Sequence, residues 1–254
     1  MKNIYSFIKA YIGPTYTFFA SLCSIVSIVL LFVKNEKACI IALFVVCVGL
    51  GIIVYRILKA INKLLHDNSK EEYKRISSFY VYQTNDGRMA TFETFRLIQC
   101  KRLFLTQIPY HFKWTGERMP KLTSNTQTIE DVKENSDKNK WDGATIKFKH
   151  PLTYNECAVV NVKAETDDYE GVSKPWISSK LESPIEMMLF RVMLSNKPDG
   201  YNEPAIFERK QIGVEIDGGY QYIESVEFNQ GNKLYSHCVA NPEPGYIYRL
   251  KWKK

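Results

Sequence analysis

Two long uncharged stretches near the N-terminus constrain this chain more than any other feature. Lys9 and Lys34 bracket 24 residues without a charge, and Lys37 and Arg56 bracket 18 more, from Ala38 to Tyr55. About 20 apolar residues suffice to cross roughly 30 Å of hydrocarbon as a helix. Pro14–Val33 and Cys39–Tyr55 each hold eleven Leu, Ile, Val or Phe residues. At about −0.3 to −0.6 kcal/mol apiece, each run gains roughly 3–7 kcal/mol on insertion. A single central Lys or Asp, at about +2.5 to +3.5 kcal/mol, would cancel much of that, and neither run has one. The connection Lys34-Asn35-Glu36-Lys37 has room only for a tight turn. The pattern predicts a transmembrane helical hairpin over residues 1–66. A signal peptide fits less well, because its apolar region is only about 7–15 residues long and a second run follows at once.

Charge distribution sets the orientation. The net charge is +7, yet residues 1–66 carry seven basic residues and one acid, which leaves 27 basic and 26 acidic residues for the rest. The excess positive charge flanks the apolar runs and is not spread over a folded face, which argues against binding of duplex nucleic acid. Arg56, Lys59, Lys63, Lys70, Lys74 and Arg75 follow the second run, so the positive-inside tendency places the bulk of the chain in the cytoplasm, held at a cell inner membrane. Ile57, Leu58, Ile61, Leu64 and Leu65 recur at helical spacing, so the second helix is expected to continue past Arg56 as a basic amphipathic neck. The six cysteines show neither a zinc spacing nor the density of a disulfide scaffold, which fits a reducing compartment.

From Ser77 onward the texture changes to short β-branched and aromatic runs broken by turn signals. Phe79-Tyr80-Val81-Tyr82 running into Asn85-Asp86-Gly87 is a hairpin signature. Further strands are predicted over 91–100, 103–108, 110–114, 144–149, 158–164, 187–194, 205–208, 213–216, 222–228, 233–239 and 246–252. The expected fold is therefore a transmembrane hairpin followed by a mainly β cytosolic domain, residues 77–254, built as a sandwich or barrel. Thr123–Lys140 is polar and reads as a long loop.

No catalytic signature is present. His66, His111, His150 and His237 stand apart, and there is no phosphate-binding loop and no nucleophile elbow. No catalytic residue, metal ligand or cofactor is assigned. The acidic run Glu165, Asp167, Asp168 and Glu170 reads as a solvated turn, since it lacks the spacing of a hard-cation site. The candidate ligand-binding stretch is Arg96–Arg118, which interleaves basic residues with aromatic ones. Its proposed ligand residues are Arg96, Lys101, Arg102, Tyr110 and Trp114, because guanidinium and ammonium groups pair with phosphate while aromatic faces stack a base. Aromatics that merely core a sheet whose basic residues face water would give the same pattern.

The layout of hairpin (Pro14–Val33, Cys39–Tyr55), basic neck and β-rich domain resembles the two-transmembrane, β-strand-rich effectors of bacterial cyclic-oligonucleotide antiphage systems. That resemblance implies a β domain that binds a nucleotide second messenger. It further implies binding-driven assembly of the membrane segments into a homo-oligomer that damages the bilayer, as an antiviral effector and not an enzyme. The alternative is a membrane-tethered adaptor whose β domain binds a protein partner.

Overall fold

The structure, a computed structural model, describes residues 20, 21, 23, 24, 27, 36–69, 71–116, 118–135, 141–213 and 219–254. The chain divides into two compact units, Met1–Glu71 and Glu72–Lys254.

In the first unit one helix, α1 (Glu36–Asn68), is long and apolar enough to cross a membrane. Its 33 residues rise about 50 Å, which exceeds the thickness of the hydrocarbon core. Glu36 lies in its first turn and His66 in its last. It continues without a break from the apolar stretch into the basic neck. The expected two-helix hairpin is corrected here: among the described residues there is one candidate span, not two. Most of Pro14–Val33 lies outside the described residues. Of that run, Ala20, Ser21, Cys23, Ser24 and Ser27 are helical, and the hydroxyls of Ser24 and Ser27 donate to the carbonyls of Ala20 and Cys23 at 2.8 and 2.7 Å. Those serines satisfy themselves on the preceding turn, as hydroxyls in helices commonly do.

The second unit contains thirteen strands among its described residues, in three sheets. The largest has the order β12-β9-β1-β2-β7-β4, with β1 (Tyr73–Thr84) and β2 (Met89–Cys100) at its centre, flanked by β9 (Met187–Leu194), β12 (Leu234–Ala240), β7 (Cys157–Asp167) and β4 (Lys121–Thr123). A four-stranded sheet has the order β11-β10-β13-β8, from β11 (Gln221–Val226), β10 (Ala205–Gln211), β13 (Tyr246–Lys251) and β8 (Trp176–Leu181). A three-stranded sheet has the order β3-β6-β5, from β3 (Phe104–Phe112), β6 (Asp142–Thr153) and β5 (Thr128–Lys133).

Both smaller sheets pack on the same face of the large one, side by side, and each encloses its own core. Under the four-stranded sheet lies an aromatic core around Phe190, Phe207 and Tyr235, all at most 1% exposed. Under the three-stranded sheet lies a more aliphatic core around Ile98, Ile108, Ile146, Val160 and Val162. Neither a two-sheet sandwich nor one closed barrel describes this arrangement. Alternation along a strand shows which face is buried, but not which strands share a sheet. The parallel pairing of β1 with β9, more than 100 residues apart in sequence, divides the sheets and leaves no local trace.

The β1–β2 hairpin forms where the Asn85-Asp86-Gly87 signal sits. Asp86 Oδ1 accepts from the backbone N–H groups of Arg88 and Met89, and Gly87 takes φ +82°, which a side chain would oppose. The loop expected over Thr123–Lys140 instead contains β5 and begins at the end of β4, because Ile129 within it and Leu122 just before it reach the second core. The two strands expected over 103–108 and 110–114 are one, β3. Pro109 lies on β3, an edge strand, where its missing N–H costs no ladder bond. β8 was not expected, and most of the strand expected over 213–216 lies outside the described residues.

Candidate functional site

The two smaller sheets meet the large one along a seam. The edge strand β8 of one reaches β1 there and the edge strand β3 of the other reaches β2, so that β1 and β2 form its floor. The floor is polar where a core would be apolar: Ser78, Tyr80 and Thr94 are all at most 2% exposed. Two hydroxyl bridges tie the walls to the floor. Tyr80 on β1 meets Ser179 on β8 at 2.5 Å, and Thr94 on β2 meets Tyr110 on β3 at 3.3 Å.

Two arginines stand at the same seam. Arg96 lies opposite Ser78 on the inner face of β2, with its guanidinium 4.9 Å from the centre of the Tyr110 ring. Its Nε is buried without a hydrogen-bond partner, as is Ser78 Oγ. Arg75 lies opposite Ile98, and its Nη2 donates to the carbonyl of Lys180 at 3.2 Å. Simple alternation would send Arg75 and Tyr80 to opposite faces. The register shift between Arg75 and Ser77 inserts one residue and turns Arg75 inward. Among the described residues neither arginine forms an ion pair.

The electrostatic consequence appears in the two tyrosines. Burial pushes the Tyr80 hydroxyl up, but the charges of Arg75 and Arg96, with the hydrogen bond to Ser179, outweigh it and leave Tyr80 below the ordinary tyrosine value. On Tyr110 burial wins over Arg96 and Thr94, and its pKa is raised. At the seam an anion would be stabilised by two guanidinium groups and a cluster of hydroxyls.

Of the five residues expected to bind ligand, the structure brings together Arg96 and Tyr110. Lys101 lies at the β2–β3 turn, where its Nζ donates to Gln99 Oε1 at 2.5 Å and Asn155 Oδ1 at 3.2 Å. Arg102 follows it in the same turn. Trp114 lies beyond the other end of β3, nine residues long and so about 26 Å from end to end. The turn and the tryptophan therefore cannot share one small ligand. The residues that sequence reasoning missed are Arg75, Ser78, Tyr80 and Ser179. Only the short aromatic run Phe79–Tyr82 hinted at any of them.

The acidic run is occupied by the chain's own cations. Arg88 grips Asp167 with Nε and Nη2, at 2.8 and 3.1 Å, and Arg118 reaches the same carboxylate at 3.4 Å. Its bond to Arg88 holds Asp167 below the ordinary carboxylate range. Asp168 accepts from Ser173 and from Lys254 Nζ. Among the described residues no group of three or more His, Cys, Asp and Glu is placed to hold a metal ion.

No protein-family profile matches the sequence, and no curated protein is similar to it. Among solved structures, an M1 zinc metallopeptidase from Deinococcus radiodurans is 9% identical over 71% of this chain and 42% of its own, with a TM-score of 0.38. Yeast LTA4 hydrolase is 6% identical over 72% of this chain and 30% of its own, with a TM-score of 0.40. Baculovirus P35 is 7% identical over 73% of this chain and 99% of its own, with a TM-score of 0.38. The chain spans less than half the length of the metallopeptidases it matches. Likeness at this level carries no inference about activity.

Proposed function

We propose that this chain is a membrane-anchored, non-enzymatic sensor whose β unit binds a phosphate-bearing small ligand at the Arg75–Arg96 seam. Binding there changes how copies of the protein associate at the bilayer. The carrying observation is a half-buried guanidinium, Arg96, with an orphaned buried Nε, beside a second arginine that also lacks a carboxylate. A half-buried charge without a counter-charge is costly, and an anionic ligand supplies the missing partner. The anchor is α1, and the basic residues after Tyr55 favour a cytoplasmic β unit. The resemblance to cyclic-oligonucleotide effectors makes a nucleotide second messenger, acting in antiviral defence, the first ligand class to test.

Calorimetry on the full-length chain in detergent, titrated with a cyclic dinucleotide and separately with inorganic pyrophosphate, tests the site. The double substitution Arg75→Gln/Arg96→Gln is expected to weaken binding at least tenfold. Equal affinity in the double variant would overturn the assignment.

A further inference from the structure

The large sheet has a second face, and among the described residues no other strand of the β unit crosses it. Both smaller sheets lie on the opposite side. This outer face is apolar across its centre: Phe79 stacks on Phe95 at 5.9 Å, flanked by Leu189 and Leu97, and Met187 and Val159 are 40% and 51% exposed. Contiguous apolar surface of this kind marks a contact site.

Strand register makes the face self-complementary. Across β9, β1 and β2 the outward rows read Met187–Ser77–Leu97, Leu189–Phe79–Phe95 and Arg191–Val81–Glu93. The first two carry apolar residues on both flanks of β1. The third carries a cation on one flank and an anion on the other. Arg191 lies over the Phe79 ring at 5.4 Å, and its Nε is buried without a hydrogen-bond partner. Among the described residues neither Arg191 nor Glu93 forms an ion pair; Lys163, opposite Glu93 on β7, is held by Glu165 at 3.0 Å.

We infer that this face pairs with the same face of a second copy, about a two-fold axis running along β1. Such an axis keeps each residue's height on the strand and exchanges the β9 and β2 columns. Met187 then meets Leu97, Leu189 meets Phe95, Phe79 and Val81 each meet their own copies, and Arg191 meets Glu93 twice. Two aligned sheets packed face to face about 10 Å apart have this geometry. One unpaired charge of each sign at the same height disfavours a purely apolar occupant such as lipid tails, and closed two-fold symmetry satisfies both charges at once. The footprint, about 20 Å across the strands and 20 Å along them, is roughly 400 Å² per copy and falls below the area of a stable dimer, so pairing is weak and concentration-dependent. This inference stands independently of the anion seam, which occupies the other face.

The test places a photoreactive benzophenone side chain at Val81, on the proposed axis, in the full-length chain in detergent. Irradiation should give a dimer-sized adduct whose yield rises with protein concentration and whose linked peptides both come from β1. Arg191→Glu and Glu93→Arg should each cut the yield at least tenfold, since each sets like charges face to face. The double variant Arg191→Glu/Glu93→Arg should return it to within twofold. Absence of the adduct, capture of detergent or lipid in its place, or charge reversals that leave the yield unchanged would overturn the proposal. If a charge-reversed chain loses its cooperative melt, Glu93→Gln carries the test. That variant should lower the yield severalfold, and an unchanged yield counts against the pairing.

Discussion

Arg249 and Arg96 each stand on a sheet beside aromatic rings, and the chain treats them oppositely. Arg249 lies 3.5 Å from the Tyr220 ring centre and 5.7 Å from that of Trp176. Its Nε donates to Glu208 at 2.6 Å, and its Nη2 reaches the same oxygen at 2.5 Å. Both side chains are less than a fifth exposed. Arg96 has the ring but not the carboxylate, and its neighbour Arg75 has only a backbone carbonyl. The first arrangement is closed: its charge is met within the chain. The second holds positive charge ready for something from outside. A charge completed internally serves stability, whereas one left incomplete at a polar seam is available for binding.

The comparison fails if the two arginines respond alike to losing their surroundings. Glu208→Gln strips Arg249 of its partner and should destabilise the β unit by about 2–3 kcal/mol, somewhat below the cost for a fully buried pair. Arg96→Gln breaks no ion pair and should change stability by less than about 1 kcal/mol. Urea denaturation of both variants checks this, and equal losses would mean that Arg96 is structural after all. The tyrosines sharpen the same contrast at alkaline pH. Burial, with Asp168 and Asp86 nearby, pushes Tyr82 up to about 12. Its contribution to stability is therefore fully present below the ordinary tyrosine value of 10 and is lost as the pH rises towards 12. Tyr80 is lowered, so its ionised form is favoured in the folded chain and works in the opposite direction. Melting curves between pH 9 and 12 should flatten in Tyr82→Phe, by about 2 kcal/mol at the alkaline end, and steepen in Tyr80→Phe. A smaller effect is expected at acid pH. Burial lowers His237, and Glu224 at 3.4 Å only partly opposes it. The folded chain thus prefers the neutral ring, and stability is lost as the pH falls from the ordinary histidine value near 6.5. His237→Gln should remove that loss.

Much of the β unit was legible in the sequence. The Asn85-Asp86-Gly87 hairpin, the span of β9 and the closing strand near the C-terminus can be read from local alternation, because each strand buries one face. What local alternation could not supply was partnership. The parallel β1–β9 pair, the division into three sheets and the seam between β3 and β8 are long-range facts. The site was half legible for the same reason. Arg96 and Tyr110 stood out as a basic residue and an aromatic one in one stretch, and the fold does bring them together. Arg75 was hidden because a bulge, invisible in the sequence, reverses its face. The N-terminal expectation went wrong for a different reason: composition qualifies a stretch for a membrane but does not establish the helix that crosses it.

Lys101 and Arg102 supply the smallest and most discriminating effect. Both belong to the basic–aromatic stretch, so a reading based on composition alone counts them equally with Arg96. The fold places them at the β2–β3 turn, with Lys101 on Gln99 and Asn155 and 5.9 Å from the Tyr154 ring centre. Contacts of this partly exposed kind contribute about 0.5 kcal/mol or less. Lys101→Gln/Arg102→Gln should therefore leave the melt almost unchanged and keep pyrophosphate affinity within twofold of the unaltered chain at moderate salt. If affinity instead fell tenfold in this double variant and held in Arg75→Gln/Arg96→Gln, the binding surface would lie at the turn. The unpaired arginines of the seam would then need an explanation within the fold itself.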